Sequence, residues 1–342
     1  MKKKNKAIYL LFLMPFVYFA TACFVIWLVK TSGIYPSGSD TMYHVYRGDY
    51  VYNAIKSGNW YPLYDPAWYN GVEILRYWSP FPAYVMAFCQ YLAGGSQLGA
   101  YLFYIGGVCF LGACVWPFIG RGFNRPYLGA FIGLLWFFMP NNLCAIFIEG
   151  NLARSLSMIF LPVFIYSVYK YLYNHKLRYI PLMVFTFLLM ELCHLGYAGM
   201  VAIAVIIYGI VYMIQKGRKK AVLDVVISMI FGFMLLGIWL VASLRGGITS
   251  LDNSENMANF FQNLWITINP FERLTRGFEY FYFGFAALVV IVFGILFGYK
   301  KSRTGFVTGF IILLMTTKSA YAVLKHLPGS QYLWMLRFIS IA

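Results

Sequence analysis

The sequence predicts an all-α integral membrane protein with about nine to ten transmembrane helices and a large first external loop that contains amphipathic helices. Of its 342 residues, 61% are hydrophobic and 11% are charged, and the mean hydropathy is +0.68. Soluble domains do not have this composition. No linker or low-complexity tract interrupts the apolar runs, so we expect a single membrane domain over residues 1–342.

Nine apolar runs have the length that crosses a bilayer, roughly 20 residues. They cover residues 7–29, 98–119, 126–147, 155–173, 179–195, 197–214, 221–243, 280–298 and 304–323. Residues 334–342 begin another apolar segment, which contains Arg337 and has no polar flank. We expect this segment to be the first half of a tenth span, and the chain to be a C-terminally truncated part of a longer protein.

The distribution of charge predicts the orientation. Five basic clusters hold 16 of the 27 Lys and Arg residues, at 1–6, 121–125, 170–178, 216–220 and 300–303. All fit one face, which the positive-inside rule places in the cytoplasm with the N-terminus. The arrangement requires residues 80–92 to lie on the outer side as an amphipathic or re-entrant helix. Residues 31–97 and 245–278 then form the two external loops, and the net charge of +16 reflects membrane orientation rather than nucleic-acid binding.

The chain lacks the sequence signatures of several function classes. The six cysteines lie in apolar segments without CxxC spacing, as small hydrophobic residues do. The chain has no Walker A loop, GxSxG elbow or HExxH motif. These observations argue against the common ATP-driven, serine-hydrolase and zinc-protease mechanisms.

The first external loop contains a polar, tyrosine-rich stretch at residues 37–82, which carries Asp40, Asp49, Asp65 and Glu73. Carboxylates among aromatic rings suit the binding of sugars. Ser39 or Asp40 can cap a helix over residues 41–56, which Gly58 is placed to end. Asp40 and His44, four residues apart, then share one face of that helix.

Asp40 is the candidate catalytic residue, because it follows the first span and a carboxylate there can deprotonate an acceptor hydroxyl. A purely structural N-cap is the alternative interpretation, since Asp is favoured at that position. Both roles can coexist.

Two further polar positions are candidates for substrate binding at the external ends of the spans. The turn at residues 149–154 offers Glu149, Asn151 and Arg154; alternatively, Asn151 caps the next helix and Arg154 extends to lipid headgroups. Glu191 and His194 are three residues apart, which predicts one helical face, either as ligands or as a mutually satisfied pair.

External arginines and aromatic residues complete the candidate set. Arg337 is the strongest candidate among the arginines, because a charge inside an apolar segment needs a partner. Arg76 is a further candidate for an anionic group. Trp78 is the candidate among the tyrosine and tryptophan side chains of the loop. About two of these side chains are expected to stack on sugar, and the others are expected to form an interfacial belt.

The sequence resembles two related groups. A first external loop with an Asp directly after the first helix resembles the C-class glycosyltransferase superfamily. The segments GSDTMYH, AIKSGNWYPLYDPAWYNG and LRYWSPFPAY, with the EGN turn, the CHLGYAG turn and the terminal LRF, resemble a bacterial membrane family described as 6-pyruvoyl-tetrahydropterin synthase-related. Soluble tetrahydropterin synthases bind zinc through clustered histidines, whereas the histidines of this chain are scattered along the sequence. The glycosyltransferase resemblance is therefore the better guide to function. The four histidines are His44, His175, His194 and His326.

That resemblance implies a multispanning enzyme of the bacterial cytoplasmic membrane with its site facing outside. It would transfer a sugar, with inversion, from a polyprenyl-phosphate donor to an envelope glycan, lipid or protein acceptor. Asp40 would be the base and Arg337 the phosphate partner, and the other partners would be membrane lipids. Some members of the superfamily have paired acidic residues where this chain has Ser39 and Asp40.

A lone carboxylate favours a metal-independent route, but Asp49 or Glu149 could join Asp40 in holding a divalent cation, Mg²⁺ or Mn²⁺. Two other functions stay open at this stage: a lipid-linked glycan transporter or flippase, and a non-catalytic envelope assembly protein. A transporter should carry charges or broken helices near the midplane.

Overall fold

The computed structural model describes residues 2–33, 38–68, 71–245, 261–269, 283–326 and 335–342, with the side chains of residues 2–11, 286 and 301 left aside. Throughout these ranges the chain is all-α, and the strand-like features are two isolated bridges, Asp65 with Val72 and Gln262 with Thr317. The predicted external loop at 245–278 falls largely outside the described residues.

The first half of the chain contains seven α-helices and one π-helical turn in its described residues. They are α1 (Lys2–Thr31), α2 (Thr41–Lys56), α3 (Phe81–Leu92), α4 (Gln97–Gly122), α5 (Pro126–Trp136), α6 (Pro140–Leu143), the π-turn (Cys144–Ile148) and α7 (Leu152–Asn174). The second half adds α8 (Tyr179–Cys193), α9 (Leu195–Lys216), α10 (Lys219–Leu235), α11 (Gly237–Arg245), α12 (Leu264–Ile268), α13 (Gly284–Met315), α14 (Lys318–Leu324) and a 3₁₀ turn (Met335–Ser340).

Five segments of the described chain are long and apolar enough to cross a membrane, and a sixth counts if α10 and α11 form one span bent by 65°. The five are Phe12–Thr31, Gln97–Gly122, Pro126–Ile148, Leu152–Asn174 and Leu195–Lys216. The other predicted spans correspond to shorter apolar helices, Tyr179–Cys193, Ala287–Lys300 and Ser302–Met315. Helix α8 has only 15 residues, and α13 joins two of these predicted spans across non-helical geometry at Ser302. The structure therefore supports a multi-pass helical protein.

The predicted helix at 41–56 is confirmed as α2, and Gly58 follows it with a φ of +86°, the left-handed conformation that glycine readily adopts. Helix α3 has 12 residues, too few to span a bilayer, and packs against α2. Gly48 of α2 allows this contact, because a Cβ there would lie 2.2 Å from Cγ of Met86. The loop thus forms an ordered unit beside the spans.

Helix α7 is the centre of the bundle, in contact with α4, α8, α9 and α10. Its N-terminal half is buried on all sides, including Ser155 and Ser157, as a helix enclosed by other helices must be, whereas Ile165 further along is exposed. With 23 residues it is about 34 Å long, so its two ends lie on opposite sides of the bundle. The candidate site lies at its N-terminal end.

Candidate functional site

The site is built around two turns that touch, one before α2 and one before α7. The backbone N–H of Asp40 donates to the carbonyl of Glu149 at 2.9 Å, and the Ser39 hydroxyl donates to the same carbonyl at 2.7 Å. Gly150 has a φ of +65°, and a Cβ there would lie 2.2 Å from Oγ1 of Thr41. The close approach of the two turns therefore requires glycine at position 150.

Asp40 occupies the N-cap position of α2, but its carboxylate accepts no capping hydrogen bond from that helix, all of which the structure describes. Its side chain instead lines a cavity and receives a 3.4 Å contact from the Ser39 hydroxyl. Burial raises the pKa of Asp40 above its ordinary value of 3.8, opposed by the positive charge of Arg337. A carboxylate in these surroundings is a stronger base than one in water.

Glu149 lies between two arginines beneath Asp40. Its Oε1 is 2.9 Å from Nη2 of Arg154, and its Oε2 is 3.4 Å from Nη2 of Arg337. The Glu149 and Arg154 side chains are buried, and that of Arg337 is 12% exposed. Arg154 therefore does not extend to lipid headgroups, and Arg337 has the partner that its apolar surroundings require.

Asn151 and His194 cap two helices and touch each other. Oδ1 of Asn151 accepts from the backbone N–H of Arg154 at 3.0 Å, and its Nδ2 lies 3.3 Å from Nε2 of His194. Nδ1 of His194 accepts from the backbone N–H of Tyr197 at the start of α9 at 3.0 Å. The alternative interpretation of Asn151, a cap of α7, is thus confirmed.

The expectation that Glu191 and His194 share a helical face is wrong, because α8 ends at Cys193 and His194 is extended, with φ of −155° and ψ of 94°. Glu191 is buried in α8, its backbone carbonyl accepts from the Ser79 hydroxyl at 2.9 Å, and it does not line the cavity described next. His194 does line that cavity.

Six of the candidate residues converge on a cavity of about 540 Å³. Its charged and amide side chains are Asp40, Arg47, Asn151 and Arg337, with the imidazoles of His44 and His194; its aromatic walls are Tyr43, Tyr77, Trp78 and Trp239. Burial lowers the pKa of His44 and of His194 to about 3, so both imidazoles are neutral near pH 7. The prediction that Asp40 and His44 face the same way is confirmed.

Arg47 is a cavity residue that the sequence did not single out. Its side chain is 2% exposed, its Nη2 donates to the carbonyl of Trp78 at 3.3 Å, and its guanidinium lies 5.4 Å from the ring centres of both Tyr43 and Trp78. The signal available in the sequence was its place on α2, seven residues after Asp40 and on the same face.

Glu149, Arg154 and Glu191 do not line the cavity, and neither do Arg76 and Asp49. Arg76 pairs with Glu73 and donates from Nε to the carbonyl of Ala242 at 2.9 Å, so it ties the loop to α11. Asp49 accepts from Nε2 of Gln90 at 2.6 Å, which joins α2 to α3. Trp78 does line the cavity, with 41% of its surface exposed.

The cation site suggested for Asp40, Asp49 and Glu149 is not assembled. Asp49 is bonded to Gln90, and both oxygens of Glu149 face arginines. Within the described residues, no three His, Cys, Asp or Glu side chains are grouped to hold a metal ion. His44 and His194 do reach the same cavity, whereas His175 contacts Arg218 at the other end of the bundle.

Comparison with known proteins gives one match. A family model described as 6-pyruvoyl-tetrahydropterin synthase related domain, membrane protein, matches residues 75–342. The matched region includes Glu149, Asn151, His194 and Arg337 and begins after α2. No curated protein and no solved structure matches the chain.

Proposed function

The chain belongs to the membrane-protein family of the 6-pyruvoyl-tetrahydropterin synthase related domain, and we propose that it is a membrane glycosyltransferase. It transfers a sugar from a polyprenyl-phosphate donor to an acceptor hydroxyl on an envelope glycan, lipid or protein. The reaction takes place at the external face of the bacterial cytoplasmic membrane, in a protein of nine to ten spans.

The observation that carries the proposal is the position of the Asp40 carboxylate. It stands at a helix N-cap, where a structural aspartate would bond to the first turn, yet it lines the cavity with Arg337 instead. Burial raises the pKa of Asp40, which suits a general base. A half-buried acid with no capping contact supports chemistry better than it supports a structural role.

In the proposed step, the acceptor hydroxyl gives its proton to Asp40 while its oxygen attacks the anomeric carbon of the donor sugar. The bond from that carbon to the phosphate oxygen breaks, its electron pair leaves with the polyprenyl phosphate, and the configuration inverts. Arg337 stabilises the negative charge that develops on the leaving phosphate. Asp40 then releases the proton to water.

The surrounding contacts fix these two groups. Glu149 holds the Arg337 guanidinium, and its backbone carbonyl holds Ser39 and Asp40. Asn151 and His194 contribute polar atoms without charge, and Tyr43 and Trp78 offer aromatic faces on which a sugar ring can stack. Because both oxygens of Glu149 face arginines, the step uses Asp40 alone as base and routes nothing through a metal ion.

The experiment is mass spectrometry of envelope glycans from a deletion strain complemented with full-length wild type or with Asp40→Asn. The Asn side chain keeps the size but cannot accept the proton, so we expect transfer to fall by about 10²–10⁴-fold. A glycan substituent should vanish in the deletion and return only with wild type. Arg76→Gln, which lies outside the cavity, is the matched control and should restore it.

Full restoration by Asp40→Asn at equal protein level would reject the catalytic base. The alternatives, a lipid-linked glycan transporter or an envelope assembly protein, would then account for the deletion phenotype.

A further inference from the structure

Arg47 is a buried cation that forms no ion pair with any carboxylate among the residues that the structure describes. Only 2% of its surface is exposed. Its Nε is buried and has no hydrogen-bond partner among those residues either. A buried charge without a counter-charge is unfavourable, so such a group is retained for a reason beyond folding.

The Arg47 guanidinium is nonetheless held in one orientation. The rings of Tyr43 and Trp78 both lie 5.4 Å from it, and these two rings contact each other edge to face at 5.0 Å. The Trp78 carbonyl accepts a hydrogen bond from Nη2 of Arg47. Arg47 lines the cavity, so its guanidinium presents a preorganised planar fork there, the geometry that binds oxyanions in a bidentate manner.

Arg337, the other arginine of the cavity, differs from Arg47 in having a carboxylate partner. Arg337 shares Glu149 with Arg154, so its charge is already partly compensated. Arg47 lies seven residues beyond Asp40 on the same helix, which is roughly 10 Å along the axis. An anion on Arg47 is therefore separate from the leaving phosphate beside Asp40 and Arg337.

We propose that the cavity has a second anion site at Arg47, and that the substrate carries a second oxyanion, a phosphate or a carboxylate, roughly 10 Å from the reacting hydroxyl. This inference rests on the proposed function, because it identifies the acceptor as anionic. The Arg47 fork binds the anion, Trp78 stacks beside it, and Asp40 stays at the opposite end of the cavity, where repulsion between carboxylate and anion is smaller.

The test uses inorganic phosphate and the purified full-length protein in a non-ionic detergent. Thermal unfolding is followed as sodium phosphate replaces sodium chloride at constant ionic strength and pH 7. A ligand that binds the folded state raises the Tm, so phosphate should stabilise wild type in a saturable manner. Arg47→Gln should weaken the apparent phosphate affinity about tenfold or more, and Arg47→Lys by less.

The matched control is Arg76→Gln, which removes a guanidinium at the same end of the protein but outside the cavity and should leave the phosphate response unchanged. In chloride alone, Arg47→Gln should unfold at the wild-type Tm or higher, since it removes an uncompensated charge. A lower Tm in chloride together with an unchanged phosphate affinity would show a structural arginine and overturn the proposal.

A second arm separates the two sources of anion. Protein saturated with polyprenyl monophosphate should still respond to inorganic phosphate through Arg47. Loss of that response would assign Arg47 to the donor phosphate and overturn the second site. The response needs no transfer and should persist in Asp40→Asn, so failure of the catalytic base and failure of the anion site give different results.

Discussion

The two ends of α7 are built from similar residues and differ in how their polar groups are satisfied. At the C-terminal end, the Tyr171 hydroxyl donates to Asp224 at 2.5 Å, and Lys170 donates to the carbonyl of Gly122 at 2.6 Å. Tyr212 likewise donates to the carbonyl of Leu172. These contacts join neighbouring helices.

At the N-terminal end, several charged groups lie close together. Glu149 serves two arginines, Asp40 stands at a cap position without capping, and Arg47 has no carboxylate partner among the described residues. A cavity of about 540 Å³ lies beside them. Polar groups that satisfy each other stabilise a bundle, whereas buried groups left unsatisfied beside a cavity indicate ligand binding.

Removing one charge at each end of α7 should give the largest difference in stability between two variants. Glu149→Gln leaves Arg154 and Arg337 buried without their shared carboxylate, which should lower the free energy of unfolding by about 3–5 kcal/mol. Lys170→Met at the other end keeps the aliphatic packing but loses one hydrogen bond and the cation–π contacts with Phe123 and Tyr166, about 2 kcal/mol. Denaturant unfolding of the purified variants measures both.

Equal losses for Glu149→Gln and Lys170→Met would mean that the arginines find other partners, and the contrast between the ends would disappear. Glycan transfer should also fall in Glu149→Gln, because Arg337 loses the group that orients it.

Two glycines with the same backbone conformation test how closely the site turns approach. Gly150 at the site has a φ of +65°, and Gly217 at the end of α9 has a φ of +69°. Alanine at either position incurs the left-handed penalty of about 1–2 kcal/mol. A Cβ at Gly217 meets nothing within 4 Å, whereas one at Gly150 would lie 2.6 Å from the backbone nitrogen of Thr41.

Gly150→Ala should therefore be less stable than Gly217→Ala by a further 1–3 kcal/mol or so, as in other overpacked sites. Unfolding of the two variants under identical conditions gives this difference directly. If the two alanines are equally destabilising, the turns before α2 and α7 can separate freely and do not fix Asp40.

The sequence predicted the parts of this site better than their assembly. Apolar runs and turn residues indicated the helical class, the bounds of α2 and the capping by Asn151, because these depend on local patterns. The need of Arg337 for a partner was also visible, but the identity of that partner was not, since Glu149 is 188 positions away in the chain.

Arg47 and the conformation of His194 show why the remainder could not be predicted. Arg47 resembles any other arginine of the loop until tertiary packing places Trp78 against it. His194 follows an apolar helical pattern, yet its capping of α9 ends that pattern at Cys193. The contact of Arg47 with Trp78 and that of His194 with Asn151 join segments 31 and 43 positions apart, and periodicity is insensitive to such contacts.

The smallest expected effect concerns two aspartates changed to asparagine. Because burial raises the pKa of Asp40 in the folded protein, its contribution to stability is present below the ordinary value of 3.8 and is lost as the pH rises through the raised pKa. At pH 7 the ionised Asp40 therefore destabilises the fold, and Asp40→Asn should be as stable as wild type or more stable. Asp224→Asn should lose about 1 kcal/mol, because the charged acceptor of Tyr171 is gone.

Unfolding at pH 7 compares the two variants on the same scale. A loss of stability in Asp40→Asn as large as that in Asp224→Asn would make Asp40 a structural residue like those at the opposite end. A stable Asp40→Asn that fails to restore the glycan would instead show that the charge is kept at the expense of stability. That combination is the one expected of a group retained for its chemistry.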